Sequence, residues 1–171
     1  MKLPPAFVKG RKNIVHVIIE TPKGSRNKFS FEKDSWLFLL KRVLPSGVVF
    51  PMDFGFVPHT RAGDGDPLDA LVMMEQGTYP GCLLECRLLG IIEGEQTEED
   101  GTRVRNDRLV AVPDMSIEYA RLRDMKSFAE EHLKDLEHFF IYYNKMAGKQ
   151  YRLLGTKGPA AALNAVKNAM K

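Results

Sequence analysis

From Asn13 to Val112 the chain alternates short, β-branched apolar runs with Pro- and Gly-bearing turns, a rhythm that confines it to small β-rich architectures. Ile14, Val15, Val17, Ile18 and Ile19 make Asn13 to Glu20 a strand, and the turn Thr21 to Asn27 leads to a short strand, Lys28 to Phe31, expected to pair with it as a hairpin. Trp36 to Val43 is another apolar run, turned by Pro45-Ser46-Gly47 into Val48 to Pro51. Two prolines mark Phe50 to Pro58 as an extended, packed loop rather than a ladder strand. Ala70 to Met74, Leu83 to Ile92 and Leu109 to Val112 read as strands, with a polar excursion from Glu93 to Arg105. Such a series predicts a closed or nearly closed β-barrel.

Helix comes late. Ser127-Phe128-Ala129-Glu130 has capping-box spacing, and Leu133, Leu136, Phe140, Tyr143 and Ala147 recur at three and four before Gly148. A shorter helix from about Pro159 to Met170 has Pro in its first turn and a stripe of Ala162, Val166 and Ala169. The expectation is a mainly β fold with two outer helices, residues 1–171 forming a single domain.

No apolar run approaches the roughly twenty residues that span a bilayer, and Met1 to Pro5 lacks the apolar core of a signal peptide, so a cytoplasmic, non-membrane protein is expected. Cys82 and Cys86 have no second pair to complete a zinc site and read as free buried thiols. The net charge of +3 conceals a division: residues 1–50 carry 10 Lys and Arg against 3 Asp and Glu, residues 51–118 carry 5 against 14, and residues 119–171 carry 10 against 5. Basic flanks around an acidic centre suit a nucleic-acid surface, or one site that joins carboxylates for metal to cations for an anionic substrate.

The acidic centre holds Asp64-Gly65-Asp66-Pro67-Leu68-Asp69, in which Gly65 and Pro67 prevent regular helix and make a stiff loop entering a strand. Three carboxylates so close repel unless a positive charge lies among them, and hard divalent cations prefer oxygen ligands. An EF-hand begun at Asp64 would find Asp66 and Glu75 in register but fails at Leu68 and at Asp69, where glycine is required. An aspartyl-phosphate nucleophile would end an apolar strand, whereas the residues before Asp64 are polar. A solvated acidic turn is the bland alternative.

From about Ile14 to Gly148 the chain resembles the family I soluble inorganic pyrophosphatases. The resemblance is carried by D-G-D-P-L-D, by Glu20, Lys28 and Arg42, by the run F-P-M-D-F-G-F-V-P, by Pro80-Gly81, by L-V-A-V-P ending at Pro113, and by Tyr142-Tyr143. It implies a five-stranded OB-like barrel with outer helices, and magnesium-dependent hydrolysis of pyrophosphate by a metal-activated water. It further implies Asp66 as the catalytic base. Lys28, Arg42, Arg108 and Tyr143 would bind substrate, and Asp64, Asp69, Glu98, Asp107 and, through metal-bound water, Glu20 would serve the metal. A homo-oligomer, hexameric in bacteria, with no nucleic-acid partner, is implied as well.

The chain departs from the family at Ser30 and Asn106, where acids are common, at Phe50 and Phe54, where tyrosine is, and at Arg108 and Asn144, where lysine is. Asp107 could substitute for the acid missing at 106, although a shift of one residue on a strand reverses its face. Two other functions fit the residues less fully: hydrolysis of another phosphoanhydride, and an OB-like binding module or weakened pyrophosphate binder. A barrel for single strands wants aromatics among basic residues, whereas Phe50, Phe54 and Phe56 adjoin the acidic loop.

Overall fold

The computed structural model describes residues 2–128 and 130–170. Its elements are β1 (Ile14–Thr21), β2 (Asn27–Glu32), β3 (Leu37–Val43), β4 (Asp53–Phe56), β5 (Asp69–Val72), β6 (Leu83–Thr97), β7 (Arg103–Arg105), β8 (Arg108–Pro113), α1 (Glu130–Lys145), β9 (Gln150–Lys157) and α2 (Pro159–Ala169). Strand β1 is buried along nearly its whole length, so it needs a partner on each edge and apolar cover on both faces. It pairs antiparallel with β4 on one side and β6 on the other. The sheet order β1-β4-β5-β8-β6 then returns to β1, closing a ring of five strands, with β5 and β8 its parallel pair.

Alternation along each strand separates two apolar clusters. Leu109 and Ala111 of β8 join Val15, Val17 and Ile19 under α2, which contributes Ala162 and Val166. Val110 and Val112 join Phe50, Phe54 and Leu71 under α1, which contributes Leu136 and Phe140. Burying one such side chain is worth about 1.5–3 kcal/mol, so the two clusters hold the ring between the helices. Gly55 in β4 is required by close packing, since a β-carbon there would collide with the Ile18 carbonyl of β1.

Four expectations need correction. The hairpin is β2–β3, not β1–β2, because β1 spends both edges on the ring. Asp53–Phe56 is a ladder strand paired with β1 and β5, since Pro51 and Pro58 fall outside it and obstruct no ladder amide. The polar excursion begins later than expected. β6 runs on to Thr97 with Gly94 and Gln96 buried between half-buried Glu93, Glu95 and Thr97, and its far half carries β7 and β9. Strand β9 itself went unforeseen among polar residues.

The capping box includes Ala129, which lies outside the described residues. Ser127 ends a short 3-10 turn, Met125–Ser127, capped by the Asp124 carboxylate, which accepts from the Lys126 amide. Cys86 is buried and Cys82 partly so, both free.

Candidate active site

The acidic hexad is held as a rigid loop. The Asp64 Oδ1 accepts from the Asp66 amide at 3.1 Å, and the Ala62 amide donates to the Asp66 carbonyl at 2.7 Å. Gly65 sits at φ +95°, open to glycine and strained for other residues. Buried Thr60 pins the loop's exit, its hydroxyl donating to the Val57 carbonyl and accepting from the Leu68 amide. Leu68 is the loop's apolar foot, 6% exposed, so Asp64 and Asp66 project into solvent while Asp69 opens β5.

Asp69 meets Arg108 because β5 and β8 run parallel in a register that sets the two side by side. The Arg108 side chain is 3% exposed, with Nε 3.7 Å from the Asp69 Oδ2. Its guanidinium lies 4.0 Å over the Phe140 ring and 4.9 Å from that of Tyr151, and Nη1 donates to the Asn106 carbonyl. Its Nε has no hydrogen-bond partner among the described residues, an orphan donor inside a charged site. Burial pushes the Asp69 carboxyl up to about 6, against the pull of Arg108 and Lys28. Asp64, exposed as a residue, is also raised, chiefly by partial desolvation of its carboxyl and further by the charge of Asp66.

Opposite the hexad, the β2–β3 hairpin supplies cations. Lys28 and Arg42 are cross-strand neighbours. Lys28 Nζ lies 3.0 Å from Glu20 Oε2, a nearly buried pair, and 4.1 Å over the Phe54 ring. The other Glu20 oxygen accepts from the Phe31 amide at 2.7 Å and from the Ser30 hydroxyl. Arg42 reaches α1, where its guanidinium lies 5.5 Å from the Tyr143 ring and Nη1 donates to the Tyr143 carbonyl. Burial pushes the Tyr143 phenol up, so its hydroxyl stays a donor.

Residues of the hexad, the hairpin, Glu20, Arg108 and Tyr143 all border one open cleft of about 1050 Å³. Glu98 borders it too, but as a neutralised group. Lys149 lies 2.7 Å from its Oε2 and Gln96 donates to its Oε1, which hold the carboxyl below its ordinary value. Asp107 is the predicted residue that the structure does not bring in. Its carboxylate accepts from the Gly94 amide and from Arg105, and it lines a separate small hollow beside Arg61 and the end of α2. Its neighbour Asn106 faces the cleft instead, its side-chain amide donating to the Gln96 Oε1 at 2.9 Å. Sequence reading missed Gln96 and Lys149, although the alternation through Gly94 and Gln96 carried a signal for the former.

A family model for inorganic pyrophosphatase matches residues 17–171. The chain is 37% identical over 161 residues to an inorganic pyrophosphatase of Synechocystis sp., covering 94% of this chain and 92% of that one. It is 35% identical to an inorganic pyrophosphatase of Haloferax volcanii, covering 91% and 86%. The crystal structure of an inorganic pyrophosphatase from Thermus thermophilus superposes with a TM-score of 0.88 at 32% identity, covering 99% of this chain and 95% of that one. A closed five-stranded ring, an acidic hexad facing paired cations and these likenesses agree: the chain belongs to the inorganic pyrophosphatase family.

Proposed function

We propose that the protein hydrolyses inorganic pyrophosphate to two phosphates with magnesium, as one cytoplasmic domain within a homo-oligomer. The observation that carries the reading is the convergence, on one cleft, of Asp64, Asp66 and Asp69 with Lys28, Arg42 and Arg108 from distant segments. Pyrophosphate is a polyanion, and hydrolysis needs both its charge balanced and a water brought to bear in a site that repels anions. The donor set fits such an ion. Among the described residues no three Asp, Glu, His or Cys side chains close into a metal cage. Magnesium is commonly held by only one or two carboxylates, keeping waters and taking phosphate oxygens. Asp64 and Asp69, whose carboxyls are raised chiefly by desolvation, supply those carboxylates.

When bound, magnesium supplies charge neutralisation and a more acidic water. Asp66, exposed at the loop's tip with no ion-pair partner among the described residues, takes the proton of the attacking water. Lys28, Arg42 and the charge of the buried Arg108 guanidinium stabilise charge on the phosphate oxygens, and the Tyr143 hydroxyl donates to them. Glu20 stays with Lys28 and aims it.

Phosphate release from pyrophosphate, ATP and tripolyphosphate, with magnesium and with chelator, tests the proposal. Expected are fast magnesium-dependent release from pyrophosphate and far slower release from ATP. Comparable turnover of ATP, or undiminished activity in chelator, would overturn it.

A further inference from the structure

The cleft is larger than two phosphates need: at about 1050 Å³ it matches the upper range, roughly 300–1,000 Å³, of pockets for drug-sized ligands. Beyond the hexad its wall changes character, with Lys2, Lys33, Trp36, Phe56 and His59 along it. Trp36 is the only tryptophan of the chain and stands half-buried in the β2–β3 turn. Its ring meets Phe31 edge-on, centroids 5.7 Å apart, and Phe31 packs on Phe38 at 5.4 Å and on Phe56 at 5.8 Å, an aromatic cluster of which Trp36, Phe31 and Phe56 line the cleft as a shelf. The Phe31 amide donates to Glu20, so this shelf is continuous with the group that aims Lys28.

A second observation concerns the same lining. Among the described residues two non-glycines have positive φ, Trp36 at 60° and His59 at 56°, and both line the cleft. That conformation is unfavourable for a bulky side chain and persists where the surroundings over-determine it, most often at binding and active sites. The Trp36 amide donates to the Glu32 carbonyl and the His59 ring contacts the Leu3 carbonyl, which hold both in place.

We infer that this shelf binds the base of a nucleoside polyphosphate whose phosphates run inward to Lys28 and Arg42. A purine or pyrimidine face stacks on aromatic rings without needing base-specific hydrogen bonds. Lys2 and Lys33 add positive charge at the mouth, and Asp34, on the same turn, offers an acceptor to sugar hydroxyls. The nucleotide is then a competitor for the diphosphate site. The inference rests on the proposed function only for where the phosphates lie.

Titrating wild-type protein with ADP in magnesium buffer, and reading the emission of its lone tryptophan, tests the shelf directly. A saturable change with ADP and none of that size with pyrophosphate or tripolyphosphate is expected. Trp36→Gly removes the ring at a backbone position glycine prefers, which offsets part of the lost packing on Phe31, and a thermal midpoint checks that the fold is kept. This variant should lose about tenfold in ADP affinity, measured as inhibition of pyrophosphate hydrolysis, with KM for pyrophosphate unchanged. No emission change with ADP, an equal change with tripolyphosphate, or unaltered ADP inhibition in Trp36→Gly would overturn the inference. Should pyrophosphate not be hydrolysed, ADP affinity read by calorimetry decides the shelf on its own.

Discussion

On the hexad wall of the cleft, burial holds the Asp69 carboxyl up at about 6 although Arg108 is 3.7 Å away, whereas on the β6 wall Lys149 at 2.7 Å and Gln96 hold Glu98 below its ordinary value. The difference lies in how each carboxylate is served. Arg108 spends its guanidinium on two aromatic rings and a backbone carbonyl, leaving Asp69 with a distant, one-sided partner. Lys149 is committed to Glu98 alone among the described residues. A carboxylate short of positive charge takes a cation, and one already neutralised gains little from another. The cleft therefore has a carboxylate wall at the hexad, where we place the metal, and an amide wall of Gln96, Asn106 and Asn144.

The largest expected break in this asymmetry comes from the hexad. Asp66→Asn should lower turnover about a hundredfold or more, the usual range for losing a general base, with little change in magnesium affinity. Asp69→Asn should weaken magnesium binding directly, and equal affinity by calorimetric titration for wild type and Asp69→Asn would refute the division of roles.

Next in size is a pH effect read in chelator. The folded Asp69 binds its proton more tightly than in the unfolded chain, since its value lies near 6 rather than 3.8. Its share of stability is therefore gained as pH falls from about 6 toward 4 and lost as pH rises through 6. Thermal midpoints measured across that window should show a smaller acid-side gain in Asp69→Asn, and magnesium should lower the midpoint of the Asp69 carboxyl seen by NMR titration.

A smaller change should come from arming the amide wall. Asn106→Asp places a carboxylate beside Gln96 and should reduce the magnesium needed for half-maximal hydrolysis by about threefold, the scale of a partly solvated ion pair. The least effect is expected of Asp107→Asn, whose carboxylate faces Arg105 outside the cleft. A raised magnesium requirement in Asp107→Asn would show that this side chain reaches the cation after all.

Legibility followed the range of the forces involved. Runs such as Ile14 to Ile19 and the helix periodicity from Leu133 to Tyr143 depend on local propensity, and the structure reproduces them, although α1 ends at Lys145 and Gly148, at φ +72°, closes the turn that follows. Strand β9 and the far half of β6 were missed because Glu93, Glu95, Arg152 and Lys157 are polar, while their backbones pair across 53 residues or more, from Thr97 with Gln150 outward, and cover one face with Tyr151. Glu20, Lys28 and Arg42 could be named from the chain, but that Glu20 is bound up with Lys28, and Glu98 with Lys149, is a matter of side chains meeting in space.

The sequence by itself determined the stiff acidic loop, through the backbone limits of Gly65 and Pro67, and the apolar runs and helical stripes that had to be buried. Only the tertiary structure decided that β1 closes the ring with β6 instead of pairing with β2, and that Asn106 and not Asp107 faces the cleft. The physical reason is register. Side chains on a strand alternate faces with a period of two, so the chemistry a strand presents depends on partners far along the chain, and a slip of one residue exchanges an amide for a carboxylate.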